Sequence, residues 1–192
     1  MFLNYNSSYL ERMLEQLLDE AESPEVTRFL RAVDVRIDGF RVEKAPEWRG
    51  QRVFVRHEVD GKGYELRLSE ESAGTQKLMG LAAYLMTALE RGATVVVDEL
   101  DAKLHPKLLR YVILLFKDPE VNKSGAQLIF SSQDVSTMRN DVFRRDEIWF
   151  AARGEGEASQ LWSLADIHEA NGNLVSKNAA FDKQYLSGRY GA

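Results

Sequence analysis

The stretch VVVDELDAKLHP, residues 95–106, runs three β-branched apolar residues into Asp98 and Glu99, then a third acid, Asp101, and the pair His105-Pro106. In a parallel sheet the functional side chains sit just past the carboxyl ends of strands, where the chain leaves the sheet and projects into a crevice. An aspartate placed there can hold Mg²⁺ through coordinated waters, and a second carboxylate one residue on can polarise an attacking water. Taken alone, Asp98-Glu99 reads equally well as a cap on the helix that follows.

Two further stretches bear on the choice. LIFSSQD ends in Ser131, Ser132, Gln133 and Asp134, the position matching Asp98-Glu99 on what should be a neighbouring strand. In LSEESAGTQKL, residues 68–78, small residues open a long amphipathic helix. A helix start exposes backbone N–H groups and the positive end of the dipole, and Gly74 leaves room for an anion to approach. Each has a plainer reading: a Ser-Gln-Asp turn that caps a helix, and an ordinary N-cap by Ser72.

The elements that must carry these groups follow from periodicity. Ser8 precedes a one-sided stripe of Leu10, Met13, Leu14, Leu17, Leu18 and Ala21, with Glu11 placed to close a capping box. Ser23-Pro24-Glu25 starts a second helix with Val26, Phe29, Leu30 and Val33 inward. Apolar and charged residues alternate over Val35–Val42, Val53–Val59 and Tyr64–Leu68, and Asp60-Gly61 is a hairpin turn between the last two. That predicts a half-exposed antiparallel sheet. Helical spacing then runs over about 75–89, a buried strand over 94–97, a helix over about 106–116 and a second buried strand over 128–130. Strand, helix, strand with near-continuous apolar strands is a parallel βαβ unit, so the fold class expected is α/β. Arg145–Ala152 and Gln160–Leu164 read as a closing hairpin, and the sequence from about Asn171 onward as a polar tail.

Composition narrows the chemistry. A chain of 192 residues, 44% hydrophobic, suits one buried domain, and a net charge of -5 argues against a protein coated in phosphate-binding charge. The absence of cysteine removes disulfides, thiolate zinc sites and thiol nucleophiles, and suits a reducing cytoplasm. Neither a signal peptide nor a run of eighteen apolar residues occurs, so no membrane partner is expected. His57, His105 and His168 are too far apart in sequence to suggest a metal set; His105-Pro106 is the start of a helix.

The order of these stretches carries more than any one of them. The chain resembles the C-terminal half of an ABC-type ATPase head with a P-loop NTPase-like fold, in the branch that includes RecF, the structural-maintenance-of-chromosomes heads and the AAA ATP-binding proteins of prokaryotic defence systems. The defence-associated group is the most similar: ESAGTQ resembles its signature motif, VVVDELDAKLHP its Walker B and D-loop, RRDEIWF a following strand and YLSGRYGA a segment near the chain end. The resemblance covers roughly residues 65–192. It implies ATP and Mg²⁺ as cofactors, Asp98 as the Mg²⁺-water ligand and Glu99 as the general base or water-positioning group. It implies that Leu100, Asp101 and Ala102 form the loop that touches a second head, and that Ser72, Gly74 and Thr75 contact the γ-phosphate of ATP held by that head. The partners it implies are a second head, in a homodimer when ATP is held, a separate nuclease subunit, and nucleic acid reached through the full complex. The setting is phage defence or DNA repair.

Two departures qualify it. No G-x-x-x-x-G-K-[ST] phosphate loop occurs: DGKGYEL lacks the upstream glycine and reads as a hairpin turn, and VNKSGAQ lacks the preceding glycines. The expectation is therefore a chain without its P-loop lobe, inactive alone as an ATPase. Gln133 stands where the family usually has a histidine; its amide can donate to the γ-phosphate but cannot become cationic, which weakens transition-state support. Both departures favour an alternative, a non-enzymatic ATPase-like module that offers Ser72, Gly74 and Asp101 to another protein's nucleotide. No second acidic or histidine-rich cluster supports a nuclease within the chain itself.

Overall fold

A computed structural model describes residues 2–3, 24–32, 37–44, 51–154, 158–169 and 171–191. The helix expected after Ser8, and Val33 and Val35 of the next two elements, lie outside the described residues. The described chain is mixed α/β, with strands β1 (Phe2–Leu3), β2 (Gly39–Lys44), β3 (Gln51–Val59), β4 (Lys62–Arg67), β5 (Thr94–Val97), β6 (Gln127–Phe130), β7 (Trp149–Arg153) and β8 (Ser159–Ser163). Its helices are α1 (Pro24–Ala32), α2 (Ala73–Arg91), α3 (Pro106–Lys117) and α4 (Phe181–Leu186). Two compact units result, residues 1–132 and 133–192.

In the first unit β5 lies between β1 and β6 in a parallel sheet, with Thr94 opposite Gln127 and Val97 opposite Phe130. The β5–α3–β6 stretch is the expected βαβ unit, but β6 is not the buried strand expected over 128–130: Ile129 is 56% exposed and Leu128 and Phe130 are half-buried. Helix α2 packs against both β5 and α1, which explains why its buried set is wide: Leu78, Leu81, Ala82, Leu85 and Ala88 are all inside. Ser72 caps its start, accepting from the Thr75 N–H at 3.1 Å. Gly92 ends it in the left-handed region, φ +66°. A Cβ at Gly92 would overlap the Ser124 carbonyl oxygen, because the loop before β6 is pinned there by the Ser124 hydroxyl donating to the Glu90 carbonyl at 2.9 Å.

Strands β2, β3 and β4 form the expected antiparallel sheet, in that order. Asp60 and Gly61 turn the hairpin with φ +53° and +72°, the two positive values that a two-residue type I′ turn needs. Phe40, Val55 and Leu66 line up across one face; on the other, the Arg41 guanidinium sits 4.0 Å from the Phe54 ring centroid and meets Glu65 at 2.9 Å. Leu68, expected in the strand, instead starts a 3-10 turn over Leu68–Glu70, since the Glu70 carboxylate accepts from the Arg67 N–H at 2.8 Å and bends the chain.

The second unit is built on the β7–β8 hairpin, with Phe150 opposite Trp162. Arg145–Glu147 form a 3-10 turn rather than the start of the strand expected from Arg145, because the Glu147 carboxylate holds the Arg144 N–H at 2.7 Å. The C-terminal stretch is polar in composition, yet its few apolar side chains do structural work. Val175, Phe181 and Tyr190 are buried with Ile148, Phe150 and Leu164, and the Tyr185 ring stacks on Phe150 with centroids 5.5 Å apart.

Gly92→Ala and Gly61→Ala separate backbone strain from overlap. Both positions need a positive φ, but nothing lies within 4 Å of a Cβ at Gly61. Gly61→Ala should cost about 1 kcal/mol and Gly92→Ala at least about twice that in denaturant unfolding; equal losses would show that the Ser124 loop moves aside freely.

Candidate functional site

The carboxylates stand at the end of β5 because their neighbours are fastened inside. Val97 and Leu100 are both 0% exposed, while Asp98 and Glu99 between them face outward. Burying an aliphatic side chain on each side contributes roughly 1.5–3 kcal/mol apiece and leaves the intervening pair no route into the core. The chain turns at once, and Glu99 takes φ +49°, a left-handed conformation that costs a non-glycine residue about 1–2 kcal/mol.

Two side chains from different elements hold that turn. The Ser131 hydroxyl, at the end of β6, accepts from the Glu99 N–H at 2.8 Å and donates to Asp98 Oδ1 at 2.5 Å. Its backbone joins in: the Leu100 N–H donates to the Ser131 carbonyl at 3.0 Å and the Ser131 N–H to the Val97 carbonyl at 3.1 Å. From α2, Lys77 Nζ donates to the Glu99 carbonyl at 2.7 Å and the Ala102 carbonyl at 2.8 Å. The Glu99 residue is thereby gripped on both of its peptide groups.

Lys77 is only 2% exposed, an unusual place for an ammonium. Burial pulls its pKa down from 10.5 to about 8, against the opposing pull of the Asp101 and Glu99 carboxylates. Sequence reasoning passed over Lys77. The available signal is its place in the stripe Lys77, Leu81, Leu85 and Ala88, where helical spacing leaves only inward positions.

The predicted residues are brought together in part. Ser72, Gly74 and Thr75 open α2, whose first turns lie against the loop that follows β5: a Cβ at Gly74 would stand 2.9 Å from the Lys103 carbonyl oxygen. The missing side chain of Gly74 thus accommodates that carbonyl, whatever else approaches. Ser72 Oγ and Thr75 Oγ1 are 2.8 Å apart, so the hydroxyls expected to meet phosphate are engaged with each other in the cap. Asp101 is half-buried in the turn, where its carbonyl accepts from the Leu104 N–H at 2.9 Å. His105 starts α3 as expected, its Nδ1 accepting from the Lys107 N–H at 3.2 Å with Pro106 next. Gln133 opens the second unit and is exposed; the next residue, Asp134, caps a 3-10 turn by accepting from the Ser136 N–H at 2.6 Å. His57, far from the other histidines in sequence, meets Glu71 at 2.5 Å and ties β3 to the residue before the Ser72 cap.

As a metal site the end of β5 offers hard oxygens only, the Asp98 carboxylate and the Ser131 hydroxyl. No group of three or more His, Cys, Asp or Glu side chains able to hold a metal occurs among the described residues. That donor set fits Mg²⁺, which keeps several waters and takes one or two carboxylates together with substrate phosphates. When bound there Mg²⁺ would neutralise charge on phosphate oxygens.

The family model described as "AAA domain, putative AbiEii toxin, Type IV TA system" matches residues 3–139 of the chain. The match spans α2, β5, α3 and β6, with every residue of the candidate site, and ends before β7. No curated protein matches the chain.

The buried ammonium has a pH signature. Between about 8 and 10.5 the folded chain has released the Lys77 proton while the unfolded chain retains it, so stability from this group rises with pH across that window. In urea unfolding, the wild type should gain on Lys77→Met as pH climbs through those values. A stability difference that stays flat would mean the ammonium is not desolvated.

Proposed function

The chain belongs to the AAA domain family whose model it matches, a family of ATPase-type nucleotide-binding domains, and on that premise we propose that it contributes the signature, Walker B and D-loop parts of an ABC-type ATPase head. Asp98 holds Mg²⁺ through water, Glu99 polarises the attacking water, and Asp101 lies in the loop that meets a second head. Ser72, Gly74 and Thr75 meet the γ-phosphate of nucleotide bound by that head, with backbone N–H groups at the α2 start supplying the anion contact. The assignment of Gln133 as a further γ-phosphate donor rests on the resemblance, in which it stands where the family usually has a histidine.

The single observation that carries this reading is the state of Glu99: an exposed carboxylate at the carboxyl end of the central parallel strand, on a strained backbone clamped by Ser131 and Lys77. A helix cap needs no such clamp, and strained residues over-determined by their surroundings gather at functional sites. ATP and Mg²⁺ are the proposed ligands. A second copy of the head is the proposed partner when ATP is held, with a separate nuclease subunit and nucleic acid further out in the complex. The family description names a toxin of a type IV TA system; for this chain we propose phage defence or DNA repair in the cytoplasm. None of the described helices is long and apolar enough to cross a membrane.

The second reading, a non-enzymatic module that completes another protein's nucleotide site, is favoured by two observations: no G-x-x-x-x-G-K-[ST] loop occurs in the 192 residues, and Gln133 stands where the family usually has a histidine. Steady-state ATP turnover distinguishes the two. The chain alone with Mg²⁺-ATP should show none; assembled with a head that carries a phosphate loop, it should support turnover that falls about 100-fold or more in Glu99→Gln and is lost when EDTA removes Mg²⁺. Turnover indifferent to Glu99→Gln would refute the role given to that carboxylate, and a partner's turnover that needs Ser72 but not Glu99 would establish the second reading.

A further inference from the structure

We infer that Lys77 is the positioning residue of the carboxylate turn: from α2 it holds the Glu99 and Ala102 carbonyls, and so fixes the Glu99 side chain relative to Ser72 and Thr75 on the same helix. Its catalytic meaning rests on the role proposed above for Glu99; the tie itself does not.

The Glu99 N–H is held by Ser131, and the peptide that follows Glu99 is held from two elements: its N–H donates to the Ser131 carbonyl at 3.0 Å and its carbonyl accepts from Lys77 at 2.7 Å. The second grip, on Ala102 at 2.8 Å, closes the turn three residues later, where the Ala102 N–H already donates to the Glu99 carbonyl at 3.1 Å. Bridging two carbonyls of one turn needs at least two donors on one side-chain head, which an ammonium has and a hydroxyl lacks. The third contact is steric, the Lys103 carbonyl lying against Gly74. The first two turns of α2 and residues 99–103 are therefore joined at Glu99, Ala102 and Lys103. An anion that pulls on the Ser72–Thr75 end draws on the same helix that carries Lys77, so loading of that end is transmitted to the Glu99 carboxylate.

Backbone amide exchange, followed by NMR on the whole chain, tests the tie. In Lys77→Met the amides of Leu100, Ala102 and Leu104 should exchange about tenfold faster or more, while those of β7 and β8 keep their wild-type rates. Lys77→Arg keeps the charge and the donors, and should stay near the wild type. Unchanged rates over 99–104, acceleration shared equally by both units, or Lys77→Arg as fast as Lys77→Met each overturn the inference. If Lys77→Met does not fold, the unaltered chain decides. With ¹⁵N-labelled lysine at acidic pH, Lys77 should give a slowly exchanging ammonium signal with cross-peaks to Glu99 and Ala102, and a fast-exchanging signal without them overturns it. Mg²⁺-ATP titrated into an assembly with a phosphate-loop head tests the nucleotide role separately: failure to bind there counts against the proposed function, while the exchange rates alone decide the role of Lys77.

Discussion

A buried ammonium that spans two carbonyls of one turn is the interaction on which the first unit's functional end depends. Lys77 leaves water at a cost, visible in a pKa lowered from 10.5 to about 8. The left-handed Glu99 adds about 1–2 kcal/mol. Two hydrogen bonds from a charged donor offset these costs. Its contribution is placement rather than net stability, as expected of groups retained for geometry.

The placement is inherited from ordinary packing. Val97 and Leu100 anchor the strand end, α2 presses on β5, and Ser131 at the end of β6 reaches across to Asp98 and Glu99. A parallel pair puts two carboxyl ends side by side, so a hydroxyl on one strand can serve as hydrogen-bond partner to a carboxylate on the next. The αL stop at Gly92 and the pinned Ser124 loop set where α2 ends and where β6 begins, and through them the register that brings Ser131 opposite the turn. The second unit has its own support, an aromatic cluster of Phe150, Trp162, Tyr185 and Tyr190 behind the β7–β8 hairpin.

Much of the candidate site could be read from residue order. Asp98 and Glu99 follow a run of valines that reads as a buried strand, His105-Pro106 reads as a helix start, and Asp60-Gly61 between alternating strands as a hairpin. These are local signals, carried by steric preference and by side chains a few residues apart. The phosphate-contact reading of Gly74 shows their limit. A glycine at a helix start is ambiguous in sequence, and the nearest group to its missing Cβ is the Lys103 carbonyl, twenty-nine residues away along the chain.

By itself, then, the sequence determined the mixed α/β plan, the strand that ends in two carboxylates, and the hairpins and helix starts, because backbone sterics and hydrophobic period act within a few residues. Only the tertiary structure decided that Ser131 would bridge Asp98 and Glu99, that His57 would meet Glu71, and that Lys77 would be buried with two carbonyls in its reach. The buried Lys77 ammonium would cost several kcal/mol without those carbonyls, whereas the exposed Ser131, Asp98 and Glu99 meet because two parallel strands end side by side. Such complementarity exists only once α2, β5 and β6 have come together.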